Sequence, residues 1–203
     1  MGERHVGNGR YPIKTNPSPS LITLKVNWSQ ETYTNAYRFA AEAHNGQLFP
    51  GTKLPYIMHV SFVGMEVTAA LAHEPERDGN LAVQCALLHD VIEDTAVTYQ
   101  AVKSAFGTAV AGGVLALTKD ETLPKAQQMA DSLRRIRQQP HEIWLVKLAD
   151  RIANLAEPPP YWSAAKKETY RQEALRIHAA LHEASPYLSR RLLEKIKAYE
   201  VFI

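Results

Sequence analysis

Between Leu81 and Asp94 an apolar helical pattern runs straight into four ionisable residues, and few folds can accept such a segment. Leu81, Cys85, Leu88 and Ile92 recur at the spacing of one helical face, so the segment belongs to a core. His89, Asp90, Glu93 and Asp94 then fall within six positions. On one continuous helix His89 and Glu93 are four residues apart, as are Asp90 and Asp94, which predicts two adjacent stripes on one face. Three carboxylates gathered beside a core repel one another and resist desolvation. A bound divalent cation is the simplest partner that makes the arrangement favourable. Taken as an isolated His-Asp dipeptide, the same residues are an ordinary solvated helix end, so the rest of the chain has to decide.

The rest of the chain is a succession of helical patterns. An N-cap candidate at Ser29 or Thr32 opens an Ala-rich run from Tyr37 to His44, which the loop Asn45 to Pro55 stops with two glycines and two prolines. Patterns resume over His59 to Ala72, Leu81 to Asp94, Tyr99 to Phe106, Thr108 to Leu117, Lys125 to Gln138 and His141 to Ala156. Beyond the break Pro158-Pro159-Pro160 two more run from Trp162 to Glu183 and from Pro186 to Tyr199. A weak candidate around Leu21 to Val26 is the sole strand signal. These patterns predict an all-α fold of about eight to ten helices without internal repeats.

A chain of 203 residues with 45% hydrophobic content supports one domain with a substantial core. Residues 1–20 are rich in Gly, Pro, Asn and Ser and read as a flexible N-terminal arm, leaving 21–203 as the folded domain. The lone Cys85 packs as a small apolar residue, and nothing argues for secretion. No stretch approaches the roughly 18 to 20 apolar residues of a membrane span, and the N-terminus lacks the apolar segment of a signal peptide. Val6 stands where a myristoylation signal needs Ser or Thr. A cytoplasmic protein is the expectation. The net charge of +2, from 23 basic and 21 acidic residues, is too balanced for a long nucleic-acid partner but leaves room for a small phosphorylated ligand.

Two further features complete a ligand set. Leu145, Leu148, Ile152 and Leu155 mark another buried helix, interrupted by Asp150, Arg151 and Asn154. Alone, its Asp-Arg pair reads as a structural ion pair. His59 follows Pro55-Tyr56-Ile57-Met58 at a helix start. Together His59, His89, Asp90 and Asp150 offer two imidazoles and two carboxylates, which suit a borderline-to-hard divalent ion with positions left for water and a substrate oxygen. Without thiolates the site does not resemble structural zinc. Such an ion supports hydrolysis of a phosphoryl group, and Glu93 and Asp94, one turn on, could orient the water or carry its proton.

These residues match the H…HD…D pattern of the HD superfamily, and the chain resembles more narrowly the hydrolase domain of RelA/SpoT proteins and the small stand-alone alarmone hydrolases, including the metazoan SpoT homologues. The resemblance rests on Ala43-His44-Asn45-Gly46-Gln47, Pro55-Tyr56-Ile57-Met58-His59, Ala86 to Thr95, Phe106-Gly107, Leu117-Thr118-Lys119, Thr122-Leu123-Pro124-Lys125 and Val146 to Leu155, and it covers about residues 35 to 185. It implies a single-domain HD-type helical bundle and a manganese-dependent enzyme that removes the 3′-pyrophosphate of (p)ppGpp. Its metal ligands would be His59, His89, Asp90 and Asp150, with Glu93 and Asp94 assisting catalysis. Lys119, Arg151 and Asn154 match positions lining the family's nucleotide pocket, where cations would neutralise phosphate oxygens. As ordinary residues, Lys119 is a solvated turn lysine and Arg151 pairs with a nearby carboxylate.

Two departures stand out. The family's loop after the Gly-Gln pair usually carries an Arg that stacks on guanine, whereas here Leu48-Phe49-Pro50-Gly51-Thr52-Lys53 is one residue longer. Phe49 could stack on a base or cover the loop, and Lys53 could supply the charge. The Pro that commonly follows the first metal histidine is Val60. Synthesis of the alarmone, which the long relatives carry out with a separate domain, is not expected, and Trp162 reads as a packing anchor. Two other functions fit the same residues: an HD phosphohydrolase for another nucleotide such as NADPH, and a metal- or nucleotide-binding module without turnover. The sequence is silent on oligomeric state.

Overall fold

Chain breakers and side-chain caps divide the molecule into its elements. A computed structural model describes residues 26–203. Among the described residues nine α-helices follow one another: α1 (Gln30–Ala43), α2 (Ile57–Leu71), α3 (Gly79–Leu88), α4 (Val91–Asp94), α5 (Tyr99–Leu117), α6 (Lys125–Ile136), α7 (His141–Asn154), α8 (Ala164–Leu181) and α9 (Pro186–Ala198). Short 3-10 turns occupy His182–Ala184 and Tyr199–Phe202. The described residues contain no strand, and Leu48 and Pro55 meet in an isolated antiparallel bridge. The fold is all-α, as the periodicity predicts. The arm expected at 1–20 and nearly all of the weak strand candidate lie outside the described residues.

Five helices begin on a side-chain oxygen that accepts from the backbone N–H three residues on. They are capped by Ser29, Asp78, Thr98, Ser163 and Ser185, the last followed by Pro186 at the first helical position. Of the two candidates for the first cap, Ser29 is the one used.

Two helices differ from expectation where it matters for the site. The pattern Leu81 to Asp94 is not one helix: α3 ends at Leu88, and Asp90 (φ −104°, ψ −2°) turns the chain into the short α4. Adjacent residues on a regular helix point about 100° apart. The break relaxes that constraint, and His89 Nε2 and Asp90 Oδ2 come within 2.8 Å of each other. The patterns Tyr99 to Phe106 and Thr108 to Leu117 run on as α5, broken at Gly107, whose φ of 86° lies in the left-handed region that glycine enters freely. By length and mean hydropathy alone α5 is apolar enough to cross a membrane, although Gln100, Lys103, Ser104 and Thr108 interrupt it. Its apolar residues Val102, Val110, Val114 and Leu117 are instead buried against neighbouring helices, which accounts for its composition.

α7 is the central element, packed by α2, α3, α8 and α9, and every residue from Glu142 to Ile152 is buried. A helix buried all round must satisfy its polar residues internally, and α7 carries Lys147, Asp150 and Arg151 there. A bidentate pair, Arg191 with both oxygens of buried Glu66, ties α9 to α2. On α6, Arg135 donates to the carbonyls of Leu115, Ala116 and Thr118 while Asp131 holds its Nε. This caps the C-terminal end of α5 and places the segment that carries Lys119.

α5 crosses the core so closely that a Cβ at Gly113 would stand 2.5 Å from Ile143 Cδ1 and 2.8 Å from Cys85 Sγ, whereas a Cβ at Gly112 meets nothing within 4 Å. Gly113→Val is therefore expected to lower unfolding stability by about 1–3 kcal/mol. Gly112→Ala should raise it by up to about 1 kcal/mol through helix propensity alone. Denaturant unfolding of both variants checks the crossing; equal effects at the two glycines would refute it.

Candidate metal centre and adjoining clefts

Three core elements bring donor atoms to one point: α2 with His59 in its first turn, the α3–α4 turn with His89 and Asp90, and α7 with Asp150 near its end. His59 Nε2 lies 3.2 Å from His89 Nε2, 3.5 Å from Asp150 Oδ1 and 3.7 Å from Asp90 Oδ2. His89 Nε2 lies 2.8 Å from Asp90 Oδ2 and 3.9 Å from Asp150 Oδ1. Ligands about 2.1 Å from one ion and at right angles to each other stand roughly 3 Å apart, so this spacing suits a single small cation. Donor atoms of His59, His89 and Asp150 all fall within 4.8 Å of one another, and Asp90 joins them through Oδ2. His59 and His89 are 1% and 3% exposed and Asp150 8%, so water contributes little to stabilising their charges.

Three of the four donors, His89, Asp90 and Asp150, have a hydrogen bond that aims them. His89 Nδ1 meets the Ala86 carbonyl at 2.8 Å, which leaves Nε2 to face the centre. Tyr56 donates its hydroxyl to Asp90 Oδ2 at 2.5 Å. Lys147 Nζ donates to Asp150 Oδ2 at 3.0 Å and Asn154 Nδ2 to Asp150 Oδ1 at 2.5 Å. Burial opposes charge on His89, but Asp90 and Asp150 outweigh it and push the imidazole up to about 9. For Asp90 burial is again overcome, by His89, and the carboxyl is held well below its usual range. Lys147 and the two histidines do the same for Asp150. Burial and then Asp90 drive the Tyr56 hydroxyl far upward, so it stays a donor. Without a metal, a proton on His89 partly balances the carboxylates, and that is the charge a divalent cation would replace.

Two adjoining clefts open from this centre and share Tyr56, Asn154 and Tyr170 as walls. The polar one, about 300 Å³, exposes Asp90, Asp150, Glu93, Asp94, Lys119 and Arg151. The other, about 460 Å³, lies between the loop at Phe49–Thr52 and the triple proline, with Trp162 and Tyr199 as further aromatic walls. Glu93 is occupied by Lys119, accepting from both its backbone N–H (2.8 Å) and its Nζ (2.5 Å). Asp94 is exposed, and partial burial followed by Asp90 and Glu93 raises its carboxyl. Arg151 is 6% exposed, lies 4.2 Å over the Tyr170 ring and 3.6 Å from Glu173, and its Nε and Nη1 have no partner among the described residues.

The structure thus gathers His59, His89, Asp90 and Asp150, and sets Glu93, Asp94, Lys119, Arg151 and Asn154 around the polar cleft. Lys53 is exposed on its loop and lines neither cleft, although its neighbours Gly51 and Thr52 line the larger one. Trp162 packs edge-on against Tyr170, 5.1 Å between centroids, and also faces the larger cleft, so it is more than the packing anchor expected. Tyr56, Lys147 and Tyr170 are absent from the site residues expected from sequence. A lysine one turn before Asp150 on an otherwise apolar face was the available signal for Lys147.

Residues 36–186 match the HD domain family. The guanosine-3′,5′-bis(diphosphate) 3′-pyrophosphohydrolase MESH1 of Danio rerio is 34% identical over 159 residues, covering 76% of this chain and 86% of that protein. The Homo sapiens protein of the same name is 32% identical over 167 residues, covering 78% and 89%. Among solved structures, a metazoan orthologue of SpoT that hydrolyses ppGpp superposes with a TM-score of 0.73 at 25% identity, over 87% of this chain and 99% of that one. The chain belongs to the HD domain family, in the branch of the metazoan SpoT homologues.

Proposed function

We propose that the protein hydrolyses the 3′-pyrophosphate of (p)ppGpp, giving GDP or GTP and pyrophosphate, with Mn²⁺ as its cation. The observation that carries the reading is the continuity of three features: a cluster of two imidazoles and two carboxylates, a polar cleft with Lys119 and Arg151, and an aromatic cleft of nucleoside size. The relatives that match most of their own length are hydrolases of this nucleotide by name.

His59, His89, Asp90 and Asp150 are the residues to hold the cation, which when bound supplies Lewis acidity towards a phosphoryl oxygen and acidifies water. Water adds to the phosphorus carried by ribose O3′, the P–O3′ bond breaks, and a proton returns to O3′ as pyrophosphate leaves. Asp94, raised by its surroundings and open to the cleft, is suited to take the water's proton and pass it on. Glu93 anchors Lys119 at the mouth, where its ammonium neutralises phosphate oxygens. Arg151, held over Tyr170 on the wall of the polar cleft, adds its guanidinium charge to the same field. Asn154, on the wall common to both clefts, holds Asp150 and faces the ribose side.

Incubation of the protein with ppGpp and Mn²⁺, followed by chromatography of the products, should give GDP and pyrophosphate in equal amounts. Asp94→Asn should lower kcat by about 10²–10⁴-fold. Absence of products with every divalent ion, or stepwise release of orthophosphate, would overturn the reading.

Cation binding should also be linked to protons. His89, at about 9, is protonated at neutral pH in the cation-free protein, and a ligand imidazole must be neutral. Affinity is therefore expected to rise with pH up to about 9 and then level off. Calorimetry near neutral pH, in buffers of different ionisation enthalpy, should report release of about one proton per ion bound; uptake without proton release would contradict the charge balance of the cluster.

A further inference from the structure

The two imidazoles of the cluster are held by different means. His89 Nδ1 has the Ala86 carbonyl, the kind of contact that commonly fixes a metal-ligating histidine. His59 Nδ1 is buried without a hydrogen-bond partner among the described residues. Against the His59 ring lies Phe49 instead, with ring centroids 5.7 Å apart and planes inclined by 23°. Tyr56 contacts the same imidazole at a steeper angle, 5.4 Å and 58°.

Phe49 is itself firmly placed. Its N–H donates to the Leu54 carbonyl at 2.9 Å, and its own carbonyl accepts from the N–H and hydroxyl of Thr52 at 3.1 and 2.9 Å. The Leu48–Pro55 bridge and the bond from Tyr56 N–H to the Gln47 carbonyl close the base of the loop. At its tip Gly51, with φ +78°, comes so close to Pro159 that a Cβ would stand 3.1 Å from it, which seats the loop against the triple proline. Phe49 is half-buried and also lines the aromatic cleft. The loop therefore reaches His59 and the nucleoside-sized space through one side chain.

We propose that Phe49 is a positioning residue for His59, its stacked ring setting the imidazole plane so that Nε2 points at the cation as the Ala86 carbonyl does for His89. The 48–55 loop is then part of the metal centre as well as a wall of the cleft. This rests on His59 as a ligand and not on which nucleotide is the substrate. With Nδ1 unpaired, removal of the Phe49 ring takes away the contact that limits rotation about the imidazole's own axis. Tyr56, inclined at 58°, meets the imidazole from another side and offers it no parallel face.

The test is calorimetric titration of the full-length protein with Mn²⁺ in the absence of nucleotide. Phe49→Ala is expected to weaken binding by about 10–100-fold, the range seen when contacts behind metal ligands are lost. Phe49→Tyr and Phe49→Trp, which keep a flat face, should stay close to the parent, and Phe49→Leu, which keeps apolar bulk without that face, should fall with Phe49→Ala. Should Phe49→Ala fail to fold, Phe49→Leu carries the same comparison. Unchanged Mn²⁺ affinity in Phe49→Leu, or a rise in KM for ppGpp with unchanged Mn²⁺ affinity, overturns the proposal and assigns the ring to the base or to the loop. His59→Ala is the control: if it binds Mn²⁺ like the parent, the ligand assignment itself fails and the proposal with it. Loss of Mn²⁺ affinity in Phe49→Leu, together with inactivity of the Mn²⁺-loaded parent towards ppGpp, would sustain the proposal while refuting the alarmone reading.

Discussion

Two imidazoles and two carboxylates within 3.9 Å of His59 or His89 Nε2 concentrate negative charge inside a helical core, and most of the surrounding structure serves to make that tolerable. Desolvated polar groups need partners, and three of the four have them: Lys147 and Asn154 for Asp150, Tyr56 for Asp90, the Ala86 carbonyl for His89. The break between α3 and α4 at Asp90 is the backbone's share in the arrangement, because a straight helix could not aim neighbouring side chains at one point. The burial of α7 from Glu142 to Ile152 serves the same need, since the helix that delivers Asp150 also delivers the lysine beside it.

Electrostatics extends from the centre into the clefts in steps. Next to the cluster lies a polar space where Lys119 is held by Glu93 and Arg151 by Tyr170 and Glu173, so both cations are oriented before any anion arrives. Preorganised donors of this kind lose little freedom when a phosphate binds. Beyond them the walls become aromatic and proline-rich, a surface for stacking rather than for reading a base edge. This order, ligand cluster then basic residues then aromatic walls, is the one that the proposed substrate, a nucleotide carrying phosphates on its ribose, would need.

Much of this was legible in the sequence, for physical reasons that differ by element. Helix limits fell close to expectation because Ser29, Asp78, Thr98, Ser163 and Ser185 are caps and because prolines and glycines interrupt the apolar period where helices end. The cluster was legible because His59, His89, Asp90 and Asp150 carry chemistry by residue type. The α3–α4 break was not, since Asp90 leaves the helix by a modest change in φ and ψ while the apolar pattern continues through Ile92. Tyr56 and Phe49 acquire their roles from partners brought together by the fold, Asp90 lying 34 positions from Tyr56. Lys53 shows the reverse: charge and position in the loop pointed to the cleft, and the side chain is exposed beside it while Gly51 and Thr52 form the wall.

The most direct measurement of the central claim is the anomalous scattering of manganese from crystals grown with Mn²⁺. The account predicts one strong peak about 2.0–2.3 Å from His59 Nε2, His89 Nε2, Asp90 Oδ2 and Asp150 Oδ1. A peak elsewhere, or none at this cluster under conditions where the protein is active, would contradict it.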